Sequence, residues 1–133
     1  MSQANVEIVK SGIDAFNRRD VDAFAEVTTV DFEMFPALAR TVEGGSYRGR
    51  EGIDNYFRDL GDTWEEARIF GDEFRDLGGR VLMLGRLEGR GKGSGVPVNA
   101  QLGTLNDFRD GKMSRVRTYL DHGDALRAAG LEE

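Results

Sequence analysis

The sequence predicts an α+β fold: a cone-shaped, curved, mixed or largely antiparallel β-sheet wrapped around N-terminal helices. Three observations predict it. Two short helical patterns open the chain, a third helix follows a glycine turn, and the second half alternates strand-forming runs with turn signals. A cone of this kind has one natural place for a ligand, between the concave face of the sheet and the helices.

Val6, Val9, Ile13 and Phe16 recur at spacings of three and four, which places them on one face of a first helix. Asn17-Arg18-Arg19-Asp20 interrupts that pattern, and Asp20 is placed to cap a second helix whose apolar positions are Val21, Phe24 and Val27. Asp31–Phe35 alternates with period two and stops at Pro36, as an edge or terminal strand does. Thr41-Val42-Glu43 is its expected partner, ahead of a Gly44-Gly45 turn. Ile53, Tyr56, Phe57 and Leu60 give a third helix from about Arg50 to Leu60. After Trp64 the expected strands are Ala67–Phe70 with Glu73–Leu77, Arg80–Arg90, Val96–Phe108 and Met113–Asp121. Gly78-Gly79 and Asp110-Gly111 stand where hairpins need positive φ. A short helix from Asp124 to about Ala129 ends before Gly130, a usual residue just past a helix. With no internal repeat or linker, residues 1–133 are expected to form one domain.

The composition removes several functions. There is no cysteine, hence no thiol nucleophile, thiolate zinc site or iron–sulfur cluster. A single histidine cannot supply the usual paired imidazole ligands, so no metal and no cofactor is expected. A net charge of −6 argues against nucleic acid as a partner. No apolar run approaches the ~20 residues a membrane helix needs, and Met1-Ser2-Gln3-Ala4-Asn5 has no leader pattern, so a cytoplasmic protein is expected. No serine stands in a nucleophile-elbow context. The glycine-rich Gly89-Arg90-Gly91-Lys92-Gly93-Ser94-Gly95 invites a phosphate-loop reading, but Val96-Pro97-Val98 follows it and opposes the helix such a loop requires. A mobile hairpin flanking the cavity mouth is expected instead.

Four motifs in order, Ala15-Phe16-Asn17-Arg18-Arg19-Asp20, Tyr47-Arg48-Gly49-Arg50-Glu51-Gly52-Ile53, Phe108-Arg109-Asp110-Gly111-Lys112 and Tyr119-Leu120-Asp121-His122, resemble the nuclear transport factor 2-like superfamily and, within it, the SnoaL-like branch. The resemblance implies a cystatin-like α+β roll, usually dimeric, with a pocket in the cone. It also allows the catalytic positions of that superfamily to be tested here. The Tyr and two Asp residues of ketosteroid isomerases fall near Gly12, Pro36 and Thr104, none of which can do their work. Limonene-epoxide hydrolases are similar in part: Arg86-Leu87-Glu88 and Asp121 resemble their Arg-x-Asp pair and final Asp, while their water-positioning Tyr and Asn fall near Phe32 and Met34. SnoaL-like cyclases place an acid/base Asp where Asp121 stands.

Asp121, Arg86 and Glu88 are therefore the candidate catalytic groups. An Asp in an apolar cavity gains the raised pKa that acid/base work near neutrality needs; its alternative role is to cap the terminal helix. Arg86 and Glu88 either polarise a substrate or form a surface ion pair. By strand parity the face of Arg117, Tyr119 and Asp121 is the wetter one and that of Val116, Thr118 and Leu120 the more apolar. His122, next to Asp121, is a weaker candidate for the same parity reason. Phe16, Tyr56, Trp64 and Tyr119 are the expected ligand-binding residues, with a small apolar molecule as partner. Two functions stay open: acid/base hydrolysis, isomerisation or cyclisation, or non-catalytic binding or interaction. A homodimer is expected because Val81, Met83 and Leu87 make one side of a strand apolar and Leu82 and Leu84 the other, and the helices are expected to cover only one.

Overall fold

The computed structural model describes residues 2–37 and 45–131. Two helices, α1 (Ser2–Arg18) and α2 (Val21–Glu26), lead into β1 (Thr28–Phe35) and β2 (Tyr47–Arg48). Helix α3 (Gly49–Thr63) precedes a meander of β3 (Trp64–Asp76), β4 (Arg80–Gly91), β5 (Pro97–Arg109) and β6 (Lys112–Tyr119), and α4 (His122–Ala128) closes the chain. The six strands form one mixed sheet in the order β2-β1-β6-β5-β4-β3, parallel only between β1 and β6.

Local chemistry sets the breaks. Asp20 caps α2 by accepting from the Ala23 N–H at 3.0 Å, and the preceding Arg19 turns the chain at φ 56°. Asp110 and Gly111, at φ 54° and 78°, make the tight β5–β6 turn, whose twist matches that of its strands. Gly130, at φ 77°, sits just past α4.

Helices α1, α2 and α3 lie in the concavity. Val9, Phe16, Phe24, Ile53, Phe57 and Leu60 pack there against the inward residues of the sheet, among them Phe32, Val81, Met83, Leu87 and Leu102. The long edge strand β3 is tied to the end of α1. Asn17 donates through Nδ2 to the Ile69 carbonyl at 3.0 Å and accepts from the Ile69 N–H at 2.9 Å, while Arg19 Nη2 donates to the Ala67 carbonyl at 3.0 Å. One amide side chain thus takes the place of a neighbouring strand and blunts an edge that could otherwise pair with another chain.

Ala67–Phe70 and Glu73–Asp76 run together in one strand, as expected, with a bulge between Gly71 and Glu73 that absorbs the break between them; Leu77 lies just past its end. The described partner of β1 is Tyr47-Arg48; Thr41-Val42-Glu43 lies outside the described residues. Helix α4 starts at His122 and covers the outer face of the sheet, where Ala125 and Ala129 pack on Leu82, Leu84 and Leu105. Met83 and Leu87 face the inner core. Both apolar sides of β4 are therefore covered within one chain, which removes the stated reason for a homodimer. The glycine-rich segment is the β4–β5 hairpin, with Gly93 and Gly95 at φ 86° and 68°. Lys92 holds it to the end of α3 through its N–H to Thr63 O at 3.1 Å and its Nζ to Gly61 O at 3.2 Å.

Candidate functional site

A small cavity of about 60 Å³ lies between α1, α2, α3 and the concave face of the sheet. Its helical wall comes from Val9, Gly12, Ile13 and Phe16 of α1, Phe24 of α2 and Tyr56 of α3. Its sheet wall comes from side chains at alternate positions, which period-two geometry sends to one face: Thr104 and Asn106 of β5, Val116 and Thr118 of β6. Ile69 of β3 adds to it together with Met34, Met83 and Met113, so three of the four methionines in the chain line one cavity. Methionine is unbranched and polarizable, and a wall built of it can repack around ligands of different shape.

Gly12 is where α1 leaves room. A Cβ there would lie 3.0 Å from Met113 Cε and 3.8 Å from Phe24, so the space that a large side chain would need is already occupied. Phe16 and Tyr56 stand with ring centroids 6.4 Å apart, and Tyr56 meets Tyr47 and Phe57 edge-on at 5.3 and 5.8 Å.

Polar groups on the wall are few and neutral. Burial drives the pKa of the Tyr56 phenol far up, against an opposing pull from Arg19, so it stays protonated through the neutral range. Asn106, 2% exposed, donates through Nδ2 to Val81 O at 3.1 Å and Thr104 Oγ1 at 2.9 Å. Arg19 sits behind the wall: its guanidinium lies 4.8 Å over the Phe16 ring and donates to Phe16 O at 2.7 Å, with a pKa drawn down by burial. No carboxylate, histidine or lysine is among the described residues that line the cavity. Among those residues there is also no cluster of His, Cys, Asp or Glu able to hold a metal ion.

Of the residues expected from the sequence, Phe16 and Tyr56 line the cavity. Asp121 does not: it is exposed, and its carboxylate caps α4 by accepting from the Asp124 N–H at 3.1 Å. Arg86 and Glu88 point outward from β4 as a 3.3 Å ion pair, with Arg86 also 3.3 Å from Asp72 and 4.5 Å over the Phe70 ring. Their parity matches that of Leu82 and Leu84, which face α4, and the three catalytic candidates are not brought to the cavity. Tyr119 packs under α4, and Trp64 packs at the inner core's margin without lining the cavity. His122 fastens α4 to the sheet, its Nε2 2.7 Å from Gly85 O. Of the isomerase and hydrolase positions tested in the sequence, Gly12, Thr104 and Met34 do lie on the cavity wall, as residues without the chemistry sought.

The sequence reading missed Asn106, Thr118, Met83 and Met113. One signal for Asn106 was available: an amide in the run Leu102-Gly103-Thr104-Leu105-Asn106, at the parity of Leu102, is a polar group sent inward.

The family profile described as a SnoaL-like domain matches residues 9–116. No curated protein sequence matches the chain. Among solved structures, the chain resembles a nuclear transport factor 2-like protein from Burkholderia xenovorans LB400 at 25% identity and TM-score 0.74, over 96% of this chain and 97% of that one. It resembles TerC, co-crystallized with polyporic acid, at 21% identity and TM-score 0.77, over 96% and 97% of the two chains. A protein with a ketosteroid isomerase-like fold from Catenulispora acidiphila, in complex with trimethylamine, is similar at 20% identity and TM-score 0.74, over 94% and 93%.

Proposed function

This chain belongs to the SnoaL-like family, and we propose that it is a binding protein for a small, neutral, largely apolar molecule held in the cavity between α1–α3 and the concave face of the sheet. One observation carries the reading: every described residue on the cavity wall is apolar or a neutral hydrogen-bonding group. Acid/base catalysis needs a group whose pKa lies near the working pH within hydrogen-bond reach of the reacting atom. Tyr56, the one titratable side chain among the described residues of the wall, is moved away from that range. Binding is therefore favoured over hydrolysis, isomerisation or cyclisation.

At about 60 Å³ the cavity as it stands is smaller than the ~150 Å³ that holds a benzene-sized molecule, so an aromatic ligand enters as the methionine wall yields. TerC with polyporic acid and the Catenulispora protein with trimethylamine show small molecules held by proteins of this fold. They support a small molecule as the kind of partner and say nothing of its charge or identity here.

Methyl NMR tests the proposal directly, because Met34, Met83 and Met113 are reporters already in place. Phenol and toluene serve as neutral probes. Saturable shifts confined to those three methyls are expected. If neither probe moves them at millimolar concentration, the cavity is a packing void and the proposal fails.

A further inference from the structure

Resting on the binding role just proposed, we infer that the molecule in the cavity carries a hydrogen-bond donor, a hydroxyl or a neutral N–H, which is received by Asn106 Oδ1, and that it is not a cation.

The argument starts from what surrounds the Asn106 amide. Val81 O, at 3.1 Å, and Thr104 O, at 3.4 Å, are carbonyl oxygens and can only accept. The nitrogen of the amide must therefore face them, and its second contact, Thr104 Oγ1 at 2.9 Å, lies on the same side. Both N–H groups are committed within the protein. The polar atom that Asn106 has left is its carbonyl oxygen, in a residue that lines the cavity. No described group donates to that oxygen, and it is not among the described side-chain atoms buried without a partner, so it keeps surface that a molecule in the cavity can reach. Ligand selectivity is strongest where a site's polar group is left unpaired by the wrong molecule.

The charge argument is independent. An aromatic wall such as Phe16, Phe24 and Tyr56 invites a cation, since ring faces attract positive charge. Here the Phe16 face is already taken by Arg19, whose guanidinium is always charged and partly buried. No carboxylate on the described wall offsets it. A second cation would enter against that field without a counter-ion, whereas a neutral donor would not.

Phenol and toluene nearly match in shape and differ in the hydroxyl, so together they decide the matter. In a cavity with no acceptor, phenol must leave its hydroxyl unpaired and binds tenfold or more weaker than toluene. With Asn106 Oδ1 receiving it, phenol binds at least as tightly as toluene to the unmodified protein. Asn106→Leu should weaken phenol about tenfold and leave toluene unchanged or tighter. Benzylammonium should not shift the methionine methyls at concentrations where benzyl alcohol saturates them. Toluene binding tenfold tighter than phenol, equal losses of both in Asn106→Leu, or benzylammonium matching benzyl alcohol would each overturn the inference while leaving the cavity a binding site. Should Asn106→Leu fail to fold, Thr118→Val and Tyr56→Phe, which remove the wall hydroxyls not bonded to Asn106, should leave the phenol-to-toluene ratio unchanged, and a tenfold fall in either would overturn the inference. Failure of every probe to bind overturns this inference together with the binding role.

Discussion

The two faces of the sheet are made from the same strands and obey opposite rules. Along β4 the inward residues Val81, Met83 and Leu87 are almost fully buried, while the outward series runs Leu82, Leu84, Arg86 and Glu88. The outward side changes character halfway: its first part is covered by α4, and its second carries charge into solvent. The same charging recurs where Arg48 meets Glu33 at 3.0 Å and Arg115 meets Asp107 at 3.2 Å. Such partly exposed pairs are worth at most ~1 kcal/mol each. The lesson is that the charged side chains of these strands and the cavity occupy opposite sides of one sheet. Residue types associated with catalysis are abundant here, but they are spent on solvating the outer face.

The largest test of that division is to put a charge on the wrong side. Met83→Asp buries a carboxylate with no partner in the inner core and should cost about 4 kcal/mol or more. Arg86→Ala, three residues along the same strand but on the other face, should stay within about 0.5 kcal/mol. Urea denaturation compares the two. Similar losses would mean that the faces are less distinct than their burial implies.

A pH titration probes the same contrast without mutation. Burial raises the pKa of Tyr56, and burial together with the 2.7 Å hydrogen bond to Asp59 raises that of Tyr47. An unfolded phenol releases its proton near pH ~10, while both folded phenols hold theirs to higher pH. Above the unfolded value the folded state binds more protons than the unfolded one, so stability is fully present below pH ~10 and falls as pH rises beyond it. Thermal unfolding from pH 8 to 11.5 should show the fall. Phenol affinity should be flat from pH 5 to 8, because no described group on the cavity wall titrates there. A step in affinity near neutrality would bring an acid or base back into the site.

The same contrast explains what could be read from the sequence. Elements with strong local signals were legible: the 3,4-spaced apolar residues of α1 and α3, the Asp20 cap, and the Asp110-Gly111 turn. Parity put Val116, Thr118 and Leu120 on the drier side: the first two line the cavity, but Leu120, past the end of β6, is exposed, and Tyr119 on the other side packs under α4. What stayed hidden depends on contacts between distant parts of the chain. That α4 folds back over Leu82 and Leu84 cannot be seen in seven residues, and without it Leu82 and Leu84 look like an unpaired interface. Asp121 and Asn106 show the same limit at the site. A carboxylate at a strand end reads either as chemistry or as a cap, and it caps α4, while an amide inside an apolar strand shows only by parity that it faces inward, where it lines the cavity.

A smaller effect is expected at the margin where the inner layer is fastened to the sheet. Asn17→Ala leaves the Ile69 N–H and C=O without their side-chain partners and should cost about 1–2 kcal/mol. It also frees the backbone of a long edge strand, so concentration-dependent association should appear in light scattering. A variant as stable and as monodisperse as the parent would show that solvent serves this edge equally well.

The smallest expected change is the one that bears most on function. Asp121 holds the Asp124 N–H at the start of α4, and Asn caps a helix as well as Asp does. Asp121→Asn should therefore alter stability by less than about 0.5 kcal/mol, whereas Asp121→Ala, which removes the acceptor, should cost about 1 kcal/mol. Neither should change phenol affinity, because Asp121 is not among the residues that line the cavity. An acid or base would behave in the opposite way: Asn would preserve the fold and abolish whatever depends on the titrating proton, and Ala would do the same. Measured side by side, the stability difference between Asn and Ala reports the cap, and the probe affinity reports any link to the cavity. A loss of affinity in Asp121→Asn at unchanged stability would join the outer side of the molecule to its interior and break the division from which the binding role is argued.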